Sequence, residues 1–239
     1  MVRVGRICAE LLGTFILAEG ICISGGNASV VWAILWGAII STGLVSGAQF
    51  NPAITTALLL VRVADKSLTR SELVEHGIYY CAHFIGAFLG ALVSWAIRKD
   101  TFEMMVGART GQGEAFIAEV FYTSVLILVT LSGGEMQENN WFATLAVAIS
   151  VYTAGRTIGS ISGACLNPAI GLGINAADAI HNGVARAKYL WIYVLGPLTA
   201  SIVASAIFFL VVRPEIMRHR RRPYIAGQLL AKRRSIQFE

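Results

Sequence analysis

Ser46-Gly47-Ala48-Gln49-Phe50-Asn51-Pro52-Ala53-Ile54 returns 116 residues later as Ser162-Gly163-Ala164-Cys165-Leu166-Asn167-Pro168-Ala169-Ile170. At average residue usage, Asn-Pro-Ala arises by chance in a chain this long only roughly a few per cent of the time. Two copies in matching context are a repeat. Asparagine is a good N-cap and proline fits the first helical position, so each copy opens a helix at a defined point. The expected helices are Pro52–Val61 and Pro168–Ala177. At about ten residues each, they are too short to cross a membrane. Moving outward, Ala9-Glu10 is matched by Ala118-Glu119, and His83-x-x-Gly86-x-x-x-Gly90 by Pro197-x-x-Ala200-x-x-x-Ala204.

The rest of the chain explains what the repeat sits in. Of 239 residues, 14% are charged and 56% hydrophobic, and the mean hydropathy is +0.65. A typical soluble domain carries about 25% charged residues to cover its surface, so this balance excludes one. Six apolar segments are long enough for a hydrocarbon core of ~30 Å. They run Ile7–Ile23, Val30–Val45, His76–Ile97, Ala115–Leu131, Trp141–Ile158 and Tyr189–Val212. They show no two-residue alternation, which argues for helices over barrel strands. The expected fold is an all-α membrane protein: six transmembrane helices plus two re-entrant half-helices, in one channel domain over 1–239. Repeat 1 covers about 5–108, repeat 2 about 113–213, and a basic tail fills 214–239. Each half holds three spans. Three is odd, so the halves have opposite topology and are inverted repeats.

Charge orients the chain. With the N-terminus inside, 13 of the 19 Lys and Arg fall on the inner side and 6 on the outer, although loop Gly133–Asn140 is inside with no basic residue. Both termini are therefore expected in the cytoplasm. A plasma membrane and an intracellular vacuolar membrane fit equally.

Inverted half-helices enter from opposite faces and meet N-terminus to N-terminus near the midplane. Each such end carries about half a positive elementary charge and unpaired N–H donors. Facing each other, they repel cations, hydronium included. The amide groups of Asn51 and Asn167 can both donate to a passing water, turning its own hydrogens outward and breaking a proton wire. The stretches before them, Gly47-Ala48-Gln49 and Gly163-Ala164-Cys165, offer a row of carbonyl acceptors. Irregular backbone at that depth is tolerated only where it lines a cavity or is buried in protein. Glu10 and Glu119 are costly in lipid unless buried and bonded. Two readings stand, a proton relay and a structural use; their repetition favours the second, each accepting hydrogen bonds from the re-entrant loops.

On these motifs the chain resembles the aquaporin (major intrinsic protein) family over about residues 5–213. The resemblance implies a homotetramer with one pore per subunit for water or small neutral solutes, with no cofactor and no metal. It also implies a selectivity filter near the outer mouth. The aligned positions are Val31 or its neighbour Trp32, Gly155, Ala164 and Ile170. Most relatives carry arginine where Ile170 stands, so this set is wider and more apolar than a strict water filter. Glycerol-conducting relatives usually have Asp soon after the second motif, where this chain has Gly171. Arg156 adjoins Gly155, and two readings of it stand: it supplies the charge that Ile170 lacks, or it snorkels to the interface. Gln49 and His83 also replace the family's usual histidine and glutamine.

The favoured function is passive water conduction. The alternative is an aquaglyceroporin-like pore for glycerol, urea or ammonia. A coupled transporter would need ionisable groups at the substrate site, and none lies at Asn51 or Asn167. A closed junctional protein would have little use for the filter. No phosphate loop, zinc-protease signature or nucleophile–base pair is present, so the chain is not expected to be an enzyme. Its basic residues lie outside the apolar runs, which gives no nucleic-acid signal.

Overall fold

A computed structural model describes residues 3–135 and 141–219. The basic tail from Arg220, including Lys232–Arg234, and residues 136–140 of the basic-free loop lie outside the described residues. Among the described residues eight α-helices follow one another: α1 Val4–Ile23, α2 Ala28–Ser46, α3 Pro52–Ala64, α4 Arg70–Arg98, α5 Gln112–Glu135, α6 Trp141–Ser162, α7 Pro168–Asn182 and α8 Leu190–Ile207. A 3₁₀ segment, Val184–Tyr189, leads into α8, and a π-turn, Phe208–Val212, carries it on. There is no strand among the described residues. The all-helical expectation holds.

The boundaries differ where capping chemistry overrides hydropathy. α4 begins at Arg70, six residues before the apolar run. There the Glu72 N–H donates to Thr69 Oγ1 (3.2 Å), and the Thr69 N–H donates to Glu72 Oε2 (2.9 Å). This capping box starts a helix with polar residues that a hydropathy scan passes over. The short helices reach 13 and 15 residues, because nothing breaks them before Asp65 and Gly183. Among the described residues five helices are long and apolar enough to cross a membrane by length and composition. α1 matches them in length at 20 residues but carries Arg6, Glu10 and Glu19.

Packing follows the repeat. α1 lies on α4 as α5 lies on α8; α4 meets α7 as α3 meets α8; α2 and α6 close the ring between the halves. The close crossings need small residues, as is common between helices in lipid. A Cβ on Gly86 would stand 2.5 Å from the Leu11 carbonyl oxygen, and one on Gly90 2.5 Å from that of Phe15. A Cβ on Gly13 would occupy the space of the Phe50 ring, 2.0 Å from its nearest carbon. Phe50 directly precedes the first motif asparagine, so this notch sets the depth of the first re-entrant loop.

Candidate functional site: a pore through two facing half-helices

The two Asn-Pro-Ala turns fold alike. The N–H of Ala53 donates to Asn51 Oδ1 (2.8 Å), and the N–H of Ala169 to Asn167 Oδ1 (3.0 Å). These are the expected N-caps, with Pro52 and Pro168 at the first helical position. The asparagines also bind across the pseudo-axis. Asn51 Nδ2 donates to the Leu166 carbonyl (2.9 Å) and Asn167 Nδ2 to the Phe50 carbonyl (2.8 Å). An amide nitrogen carries two hydrogens. One on each side is fixed by the opposite loop, and the second remains for the cavity that both asparagines line. The two N-termini thus lock each other in place.

The loops before them are strained in the same pattern. Gly47 and Gly163 lie in the left-handed region (φ 97° and 88°), as do Ala48, Phe50, Ala164 and Leu166 (φ 50° to 56°). Each non-glycine there costs about 1 kcal/mol or more. Two buried carboxylates hold the strain. Glu10 accepts from the N–H groups of Gln49 (3.0 Å) and Phe50 (2.7 Å). Glu119 accepts from those of Cys165 (2.9 Å) and Leu166 (2.7 Å), and from the Ser162 hydroxyl (2.6 Å). Both glutamates are fully buried. In the first half His83, also fully buried, adds Nε2 against Glu10 Oε2 at 2.7 Å. The second half has Pro197 at the matching position, and among the described residues no histidine joins its glutamate. Tyr79 and Tyr193 complete the parallel, donating to the Ser46 and Ser162 carbonyls.

These bonds dictate where the carbonyls go. A trans peptide directs its N–H and the preceding C=O to opposite sides. The N–H groups of Gln49, Phe50, Cys165 and Leu166 turn inward to the glutamates. The carbonyls of Ala48, Gln49, Ala164 and Cys165 therefore turn away from them. Gly47, Ala48, Gln49, Gly163, Ala164 and Cys165 all line one of two cavities. The Cys165 thiol is buried and donates to the Asn167 carbonyl (3.2 Å).

The larger cavity, about 730 Å³, runs from the α1–α2 turn to both asparagines; the smaller, about 350 Å³, opens beside Arg6, Arg62, Glu72 and His76. Ile39, Ala48, Gln49, Ile54 and Val147 line both, so the two abut in one path. Apart from the motif residues, the wall is mostly aliphatic, with Leu17, Val31, Leu35, Ile39, Val147 and Val151. Of the expected filter positions, Val31, Gly155, Arg156, Ala164 and Ile170 line the larger cavity. Trp32 is not among its lining residues and packs edge-on against Tyr152 instead. Ile170 is 1% exposed, so it closes the wall without projecting from it.

His76 escaped the sequence reading. Its Nδ1 lies 2.7 Å from the Glu72 carbonyl, which only accepts, so Nδ1 carries the hydrogen. Its Nε2 then accepts from Gln49 Nε2 at 3.2 Å, while Gln49 Oε1 accepts from the Thr55 hydroxyl at 2.7 Å. Gln49, two residues before Asn51, is thereby fixed from both ends. The available signal was spacing. His76 stands seven residues before His83, two turns along the same helix face.

The sequence model of the family described as Major intrinsic protein matches residues 2–208. "Probable aquaporin AqpM" of Archaeoglobus fulgidus is 32% identical over 179 residues, covering 71% of this chain and 69% of that protein. The glycerol uptake facilitator protein of Bacillus subtilis is 28% identical over 221 residues, covering 79% and 78%. The X-ray structure of the aquaglyceroporin from Plasmodium falciparum superposes with a TM-score of 0.77 at 21% identity, covering 89% of this chain and 98% of that one. At that identity the likeness shows the fold.

Proposed function

The chain belongs to the major intrinsic protein family, a family of membrane channels, and from that premise we propose that it is a passive, bidirectional water pore that excludes protons and ions. The observation that carries this reading is the reciprocal pair Asn51 Nδ2–Leu166 carbonyl and Asn167 Nδ2–Phe50 carbonyl. It fixes two positive helix ends and two amide donors at one level of the path. A water bound there donates outward only, which breaks a proton wire, while the helix ends repel cations. The working unit is a homotetramer in the bilayer with both termini cytoplasmic, the orientation that the Lys and Arg bias favours.

A second reading extends the solute range to glycerol, urea or ammonia. It is favoured by the wide lining at Gly155 and Ala164, and by Ile170 where relatives carry arginine. One preparation separates the two. Proteoliposomes are shocked with an impermeant osmolyte and then with glycerol, and followed by light scattering. Fast shrinkage in the first, with reswelling in glycerol no faster than in protein-free vesicles, supports a water-selective pore. Fast reswelling in glycerol supports the wider one. Protein-free rates in both contradict the channel reading.

A further inference from the structure

The expected filter positions at the outer cavity are a valine, a glycine, the loop alanine Ala164, Arg156 and an isoleucine withdrawn into the wall. The connection between the two halves supplies what they lack. Residues 101–108 run from α4 toward α5 and place Phe102 and Met105 in the lining of the same cavity. Three sets of bonds hold this segment across the mouth. Thr101 Oγ1 donates to Asp178 Oδ1 (2.6 Å), and Asn182 Nδ2 donates to both oxygens (2.7 Å each). The Met104 N–H donates to Asn175 Oδ1 (3.1 Å), and Asn175 is itself tied to the Gly171 carbonyl (2.9 Å). The Gly107 N–H donates to the Ile161 carbonyl (2.9 Å). The segment is thus fastened to the C-terminal half of α7 and to the end of α6.

Its side chains alternate. Met104 and Val106 are buried, at 6% and 7% exposure, while Met105 is 52% exposed. Met105 is therefore the residue turned to the open side, and its backbone oxygen lies 3.0 Å from where a Cβ on Gly163 would stand. The Phe102 ring reaches the opposite wall, 3.0 Å from where a Cβ on Gly26 would stand, in the α1–α2 turn. The segment therefore bridges the first half's outer turn and the second half's re-entrant loop.

We propose that Phe102 and Met105 of this connection set the solute cut-off of the pore, as specificity-determining side chains for uncharged solutes larger than water. The inference rests on the channel reading above. A thioether and an aromatic edge give a polyol no hydrogen bonds in exchange for those it loses to water. Polyols are thus filtered by size and by desolvation. Water, smaller and able to bond to the carbonyl row, is not held back in the same way.

The test is a size series in proteoliposomes, with water and glycerol permeabilities measured side by side. Met105→Ala and Phe102→Ala should raise glycerol permeability by about tenfold, a barrier lower by about 1.4 kcal/mol. Met105→Trp should lower it below wild type, and water permeability should stay within about twofold throughout, too small a change for a lost filter. A fold-independent arm uses Met105→Cys. Outside addition of methanethiosulfonates of increasing bulk should cut glycerol flux stepwise, with treated wild type correcting for the exposed Cys8 and Cys81. Glycerol flux indifferent to side-chain size and to reagent bulk, in variants that still conduct water, overturns the proposal and leaves the channel reading standing. Protein-free water rates for the wild type overturn both.

Discussion

Glu119→Leu yields no folded protein, and Glu10→Leu behaves the same way. Glu119 is the acceptor for three buried donors: the N–H groups of Cys165 and Leu166 and the Ser162 hydroxyl. Leucine fills similar space and accepts nothing. Each stranded buried donor costs about 1–3 kcal/mol, so the loss is on the order of 5 kcal/mol, the scale of a domain's whole stability. The stranded loop is also the strained one. Without the carboxylate, the left-handed turns at Ala164 and Leu166 lose the acceptor that holds the N–H groups of Cys165 and Leu166. Glu119→Gln separates hydrogen bonding from fit. Its carbonyl oxygen keeps the Ser162 and Cys165 bonds, while its NH₂ confronts the Leu166 N–H. One lost bond should cost about 1–3 kcal/mol and leave a folded protein that melts earlier. Size-exclusion profiles and thermal unfolding in detergent check the series. A Glu119→Leu protein as stable as wild type would remove the carboxylate from its anchoring role.

Asn167→Asp conducts cations that the wild type rejects. The substitution keeps the shape and the Oδ1 cap to Ala169. It replaces the Nδ2 donor with an oxygen that faces the Phe50 carbonyl, and it brings a full negative charge to the level where two helix ends supply about one positive charge in total. At about 5 Å and an effective dielectric of about 20, that charge lowers a monovalent cation's energy by about 3 kcal/mol. The barrier change corresponds to roughly a hundredfold in rate. The lost cross-loop bond should loosen the second half-helix as well, so water flux falls. Electrophysiology on planar bilayers, or vesicle cation flux beside water flux, reads both effects. A variant that still excludes cations would show that the helix ends and the amides are not the barrier.

Much of this architecture was legible because the chain states it twice. The Asn-Pro turns predicted both half-helix starts to the residue. A repeated glutamate in a costly environment drew attention to Glu10 and Glu119, which accept hydrogen bonds from the two re-entrant loops. What escaped lay outside the repeat or outside hydropathy. α4 starts at Arg70 because of a polar capping box, which an apolar scan does not register. The choice between Val31 and Trp32 turned on one residue of helix rotation, about 100°. The cavity lining, which includes Val31, and the packing of Trp32 on Tyr152 resolve it. His76 has no counterpart in the second half, so self-comparison could not find it. Phe102 and Met105 belong to the one connection that joins the halves and is not duplicated. The pore's symmetric middle was therefore readable, and its asymmetric mouth was not.

The most direct test of the central claim is water and proton flux measured on the same wild-type vesicles. Water efflux follows from light scattering after an osmotic step, and proton entry from a trapped pH dye after an acid step. The facing half-helices predict water permeability far above protein-free vesicles, with proton entry at the protein-free rate. Proton entry that rises in proportion to water efflux would contradict the account, because it would mean that the water column through Asn51 and Asn167 is an unbroken wire.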